Sequence, residues 1–323
     1  MKNIQRMISM NSTHLAWKIR RHAIEMTHMS GGSHIGAVLS VADILSVLYA
    51  DILHFRPADP KWADRDRFVL SKGHAGIAQY AALAECGFFP VAELMTYYQN
   101  SSRLSGHVSH LVPGVELSTG SLGHGLGVAV GMAVAAKQSH KNHRIYCVLG
   151  DGECNEGSVW EAAQAASHYG LGNLIAIVDH NNLQSLDFCP RTQHSGPLSS
   201  KWRSFGWNVL EVNGHDHGQL YSALSEMTSE QPTVLIAHTV KGYPIPFMEN
   251  NILWHYRYPH DGWEYDQAVT VLHGCKPPEV EDIYTPGGIC HPAAPSEKDD
   301  IFQDHTMGAT YHPSWYHVQE IRP

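Results

Sequence analysis

Two apolar segments, each running straight into a turn of glycine or Asx residues, constrain this chain more than any other feature. Residues 144–149 end at Gly150-Asp151-Gly152, and residues 174–178 end at Asp179-His180-Asn181-Asn182, with a helical pattern over about 158–168 between them. Strands joined by one helical crossover run parallel, so both turns emerge at the carboxyl edge of one sheet, where open α/β sheets bind ligands. The alternation extends along the chain. Leu15, Ile19, Ala23 and Met26 give a helix over about 12–28 behind a capping Asn11 or Ser12. After a glycine-rich loop, residues 41–53 are apolar on nearly every side and are expected inside. A strand at 67–70 ends in Ser71-Lys72-Gly73-His74 and leads into a helix to Cys86. Further strands are expected at 208–212 and 233–238, with a helix between them capped by Asp216. The predicted fold class is α/β, a mainly parallel sheet flanked by helices.

Composition removes several alternatives. With 43% hydrophobic and 16% charged residues in 323, the chain can bury a large core and is not disordered. The run 125–136 has 12 small apolar residues, below the ~18 that span a bilayer, and the N-terminus shows no apolar signal region, so no membrane and a cytoplasmic location are expected. A net charge of −9 without a basic cluster argues against nucleic acid. Six cysteines without a CxxC suit a reducing compartment and no zinc ribbon. Histidine is in excess: if half of the 24 were protonated, net charge would move from −9 to +3. From residue 277 proline, histidine and aromatic residues replace the periodic pattern, which divides the chain into a domain at 1–276 and a tail at 277–323. Cys290, His291, His305, His312 and His317 in that tail are irregularly spaced for a metal site.

At the carboxyl edge, an aspartate and an asparagine face one another over glycines that let a ligand approach the backbone. Two side-chain oxygens plus a backbone carbonyl suit a hard, six-coordinate cation such as Mg²⁺, with phosphate oxygens and water completing the shell. The helix after Gly152 adds amides for the same anion. This spacing reads as a metal–diphosphate anchor; two turns without a ligand would satisfy it equally.

The motifs taken in order separate these readings. Residues 65–74 (Arg-Asp-Arg-Phe-Val-Leu-Ser-Lys-Gly-His), 114–123, 150–157 (Gly-Asp-Gly-Glu-Cys-Asn-Glu-Gly) and 179–182, with Ser33-His34-Ile35-Gly36 and Ser105-Gly106-His107, resemble transketolases. They look most like the N-terminal, diphosphate-binding subunit of the split bacterial forms, over about residues 10–260. The resemblance implies a thiamine diphosphate-binding PP-type domain. It implies that Asp151 and Asn181 bind Mg²⁺ (or Ca²⁺ or Mn²⁺ in its place) through side chains and Leu183 through its carbonyl. His74, Gly150 and Gly152 would contact thiamine diphosphate, while Gly120 and Leu122 line its cleft. His34, His107 and His255 match histidines around the thiazolium and the sugar hydroxyls, His255 serving both cofactor and catalysis. Neutral imidazoles both donate and accept, which suits proton movement. Glu156 matches a glutamate that joins two active sites across a dimer; a carboxylate merely favourable near a helix N-terminus would occupy the same place.

The resemblance also implies what is missing. The family's glutamate that engages the aminopyrimidine lies on a second domain with most of its sugar-phosphate grips, and 323 residues hold no such domain. The expectation is transfer of a two-carbon ketol unit between sugars or sugar phosphates, by a chain inactive until a separate C-terminal subunit supplies the pyrimidine-binding domain. A dimer or a dimer of heterodimers follows. The competing readings are a non-catalytic, cofactor-binding subunit or one like that of a 1-deoxyxylulose-phosphate synthase. Glycines at 123, 125, 127 and 131 within a helix over 123–137 call for close approach of another backbone. Ser33, Ile35, Val108, His124 and Tyr256 depart from the family pattern, mostly near substrate, and point to a shifted sugar preference such as a branched ketose.

Overall fold

The computed structural model describes residues 11–193, 196–227 and 230–284. Cys290, His291, His305, His312 and His317 of the tail lie outside the described residues. The chain divides into two units, Met1–Val280 and Glu281–Pro323, and the sheet with its helices belongs to the first.

Among the described residues the strands β1 (Arg67–Leu70), β2 (Ile145–Gly150), β3 (Leu174–His180), β4 (Asn208–Asn213) and β5 (Thr233–His238) form one sheet in the order β1-β2-β3-β5-β4. Every neighbouring pair is parallel. Around it lie α1 (Ser12–Ser30), α2 (Ile35–Val47), α3 (Gly76–Glu85), α4 (Gly125–Gln138), α5 (Gly157–His168), α6 (Cys189–Thr192), α7 (Leu198–Ser204), α8 (His217–Ser225) and α9 (Trp263–Gly274).

Alternation along the strands separates two cores. Tyr146, Val148, Ile175, Ile177, Leu235 and Ala237 pack with α1, α2, α3, α8 and α9. Cys147, Leu149, Ala176, Val178, Val234 and Ile236 face α4, α5 and α7. Successive strand residues point to opposite faces, so a sheet covered on both sides needs apolar residues at every position. The central strands β2 and β3 supply them.

Caps fall where the sequence predicts them. Asn11 Oδ1 accepts from the Thr13 amide at 2.8 Å, and Asp216 Oδ1 from the Gln219 amide at 3.0 Å. The second helix starts six residues before its predicted beginning. The glycine in its first turn serves a close approach, since a β-carbon there would stand 3.2 Å from the Trp254 carbonyl oxygen. With a π-helical turn at Leu48–Ile52 it makes an 18-residue apolar helix of membrane-spanning length, but 89% of that segment is buried in the protein. It is the core helix that its all-round apolarity predicts.

The glycines of α4 divide. A β-carbon at Gly125 would come within 2.8 Å of Ser71 Cα, so this one serves a close backbone approach. Gly127 and Gly131 have nothing within 4 Å and lie exposed. The approach expected at those two positions is not made within this chain.

Candidate active site

Both turns predicted at the carboxyl edge of the sheet lie there. Gly150 ends β2 opposite Asp179 of β3. Asp151, 7% exposed, accepts from the Gly152 amide at 2.7 Å through Oδ1 and from the Asn182 amide through Oδ2. The second bond brings the carboxylate to the residue after Asn181, and Asn182 takes a left-handed φ of 61° to make it. Asn181 is 5% exposed; its Oδ1 accepts from the Leu183 amide at 3.2 Å. The Leu183 carbonyl accepts from Lys241 Nζ at 2.8 Å. A carboxylate, a carboxamide and a carbonyl of these three residues therefore belong to adjoining hydrogen-bonded turns at this edge. Burial, then the charge of Asp179, raises the Asp151 carboxyl above the ordinary carboxylate range. Concentrated negative charge of this kind is what a divalent cation relieves.

The histidines converge as well. The ring of His34 lies 5.3 Å from that of His74, 5.4 Å from His107 and 5.1 Å from His255, centre to centre. His34 is a non-glycine residue at φ 72°, a left-handed conformation kept by its amide donating to the His255 carbonyl at 3.0 Å. Burial, then positive neighbours, brings the His34 ring down to about 4 and His255 down to about 2. His74 is pushed well below the ordinary range by burial and Lys72, and His107 is lowered by burial. The cluster is neutral at physiological pH.

Gly120 faces this cluster, since a β-carbon there would meet His107 Cδ2 at 3.1 Å. Leu122 is half-buried beside Gly123. Glu156 is not part of the cluster. It stands exposed at the N-terminus of α5, its side chain makes no capping bond, and its Cβ lies against Gly123. A carboxylate at this helix N-terminus is also favourably placed against the helix dipole.

Three charged residues escaped functional assignment. Lys72, 1% exposed, is ion-paired with the fully buried Asp179. That carboxylate also accepts from Ser40 at 2.7 Å and from Thr239. Lys241, 2% exposed, donates to the Leu183 carbonyl and to His255 Nδ1 at 2.9 Å, both neutral partners. Burial, then the Lys72 charge, lowers its ammonium to about 8. Glu153, 1% exposed, accepts from Ser71, from the Gly123 amide at 2.8 Å and from the Gly150 amide at 3.1 Å, tying three loops together. A charged residue directly after an apolar parallel strand is a readable signal. Lys72 follows β1 by two residues and Lys241 follows β5 by three.

The residues fit a metal-bound diphosphate. Two buried ammonium groups, Lys72 and Lys241, and neutral imidazoles present hydrogen-bond donors there. The Gln184 Nε2, buried beside Gly152, has no hydrogen-bond partner among the described residues. A β-carbon at Gly152 would meet Gln184 Cγ at 2.7 Å, so the glycine keeps the backbone close there.

The family described as transketolase, thiamine diphosphate binding domain, matches residues 11–257. A protein from Phocaeicola vulgatus, named as a subunit of apulose-4-phosphate transketolase, is 40% identical over 254 residues, 78% of this chain and 90% of that one. Its namesake from Actinobacillus succinogenes is 44% identical over 257 residues, 79% and 93% of the two chains. The crystal structure of transketolase from Campylobacter jejuni superposes with a TM-score of 0.77 at 32% identity, covering 82% of this chain and 43% of that one. The chain spans under half of that transketolase and nine-tenths of the apulose-4-phosphate transketolase subunits. Geometry, topology and similarity agree: the chain belongs to the transketolase family, as an N-terminal, thiamine diphosphate-binding subunit of the split type.

Proposed function

We propose that this chain is the diphosphate-binding half of a Mg²⁺- and thiamine diphosphate-dependent transketolase. The supporting observation is the convergence of Asp151, Asn181 and the Leu183 carbonyl beside two buried lysines and four neutral histidines. In this reading residues 1–276 form the functional domain. Asp151, Asn181 and Leu183 hold the Mg²⁺, and the Gly152 backbone and His74 meet the diphosphate. When bound, thiamine diphosphate supplies the electron sink for cleaving a ketose carbon–carbon bond.

The protein's own groups position and move protons. Lys241 donates to His255 Nδ1, so neutral His255 carries its proton on Nε2 and presents a donor there. The Ser33 hydroxyl sits 2.7 Å from His34 Nδ1 and orients that ring by a hydrogen bond. His34, His107 and His255 then serve the hydroxyl and carbonyl oxygens of a sugar. The relatives are named for apulose 4-phosphate and, in one from Clostridium, for 6-deoxy-6-sulfo-D-fructose. We extend the class to this chain as ketoses carrying an anionic or branched end.

That these relatives are named as subunits supports a separate partner carrying the pyrimidine side. The exposed Glu156 and the uncovered glycine face of α4 support self-association, as a dimer or a dimer of heterodimers. Five free thiols among the described residues support the cytoplasm. Calorimetric titration tests the reading: thiamine diphosphate with Mg²⁺ should bind, alone or beside the partner chain, and Asp151→Ala should weaken binding at least 100-fold. The chain alone should not transfer ketol units, and robust turnover without a second polypeptide would refute the half-site.

A further inference from the structure

On the opposite face of the same sheet edge, His180 and His238 end β3 and β5 as register partners. Val178 and Ile236, two residues earlier on each strand, point into the core beneath α4, α5 and α7, so the two imidazoles continue that face past the edge. They lie on the side away from the Lys72–Asp179 pair. Their Nδ1 atoms stand 3.0 Å apart, with the ring planes crossed at 75°. His238 Nε2 meets Glu211 Oε2 on β4 at 3.1 Å, and Arg203 of α7 approaches the other oxygen of that carboxylate at 3.8 Å. The Asp151–Asn181–Leu183 centre uses none of these side chains.

We propose that His180 and His238 form a two-imidazole site for a first-row divalent ion, of the Cu²⁺, Ni²⁺ or Zn²⁺ class. Two nitrogens each ~2.0–2.1 Å from such a metal and at right angles stand about 2.9 Å apart, which is the spacing observed here. Glu211 does for His238 what an outer carboxylate does for a ligating imidazole: it accepts the hydrogen bond of Nε2–H and leaves the Nδ1 lone pair inward. In the metal-free chain that lone pair accepts the Nδ1 proton of His180. On binding, neutral His180 carries its proton on Nε2 instead, which frees its Nδ1 lone pair for the metal with no net proton released. No group of three or more His, Cys, Asp or Glu converges on a metal position among the described residues, so water completes the shell. Protein ligands that are both imidazole nitrogens select this class over Mg²⁺. The bound ion would cross-link the ends of β3 and β5, one residue from Asn181 and from Thr239.

The test is Cu²⁺ titration of the chelator-stripped full chain in excess Mg²⁺, by calorimetry and electron paramagnetic resonance. Wild type should show one tightest equivalent with nitrogen hyperfine structure. His180→Ala/His238→Ala should lose it, with affinity down at least 100-fold, and Glu211→Gln should weaken it about tenfold. Far-ultraviolet dichroism verifies that each variant is folded, and Asp151→Ala should leave the equivalent unchanged. Identical tightest binding in wild type and the double variant would overturn the proposal, as would loss of the equivalent in Asp151→Ala. Failure of thiamine diphosphate to bind would leave this result intact.

Discussion

Lys241 carries a buried charge that its hydrogen-bond partners, a carbonyl and a neutral imidazole, do not neutralise. Asp151 and Asp179 attract it without a hydrogen bond, burial still outweighs them, and replacement of such a buried ion by an apolar side chain of similar volume commonly stabilises. Lys241→Met is therefore expected to raise the thermal midpoint of the unliganded chain, by about 2–4 °C for each kcal/mol recovered. It should lower thiamine diphosphate affinity at least tenfold. Melting curves with and without the ligand and Mg²⁺ read both effects, and a midpoint that falls would mean that the ammonium has a structural role. Glu153 contrasts with it. Both its oxygens are used by three donors, and Glu153→Gln leaves a carboxamide NH₂ facing N–H or O–H groups. A loss of about 1–3 kcal/mol is expected from urea unfolding, because buried donors are stranded. Lys241 thus acts on ligand affinity more than on folding, and Glu153 on the loops that frame the site.

At the scale of elements, α4 holds glycines with opposite duties. Gly131→Ala places a methyl in open space within a helix, and should stabilise the isolated chain by about 0.5–1 kcal/mol. Gly125→Ala drives a β-carbon onto Ser71 and should destabilise it. Equilibrium sedimentation completes the comparison: if a second copy packs on this face, Gly131→Ala weakens self-association while raising the melting point. The sequence distinguishes neither glycine from the other, because helix position alone does not say what lies across the groove. The strands and the turns at 150–152 and 179–182 were legible, since a parallel strand buried on both faces needs an unbroken apolar run and must stop where polar residues begin. Asp151, Asn181 and the histidines were found from those turns and from the family likeness. The ties from Glu153 and Lys241 were not, because most of their partners, Ser71, Gly123, Leu183 and His255, lie on other loops that only the fold brings beside them. The start of α2 was missed for a related reason: Gly36 reads as loop until the Trp254 carbonyl is seen beside it.

For the whole molecule, the neutral histidines set the response to acid. In the unfolded chain a histidine titrates near ~6.5, whereas His34 and His255 are held at about 4 and about 2 in the fold. Between those limits the unfolded state binds more protons, so stability rises with pH and is lost as pH falls below about 6.5. Each such group adds up to about 1.4 kcal/mol per pH unit. Urea midpoints measured from pH 7 to pH 5 should fall steadily, and His255→Gln should flatten the slope. A midpoint unchanged over that range would mean that the rings are already protonated in the native state. The depressions arise from burial and from the positive charge of Lys72 and Lys241, which an anionic ligand offsets. Saturating the chain with thiamine diphosphate and Mg²⁺ should therefore raise the histidine pKa values toward 6.5 and make the acid slope shallower, beyond the overall gain in stability from binding. The same slope with and without the ligand, at saturation, would place the diphosphate away from the histidines.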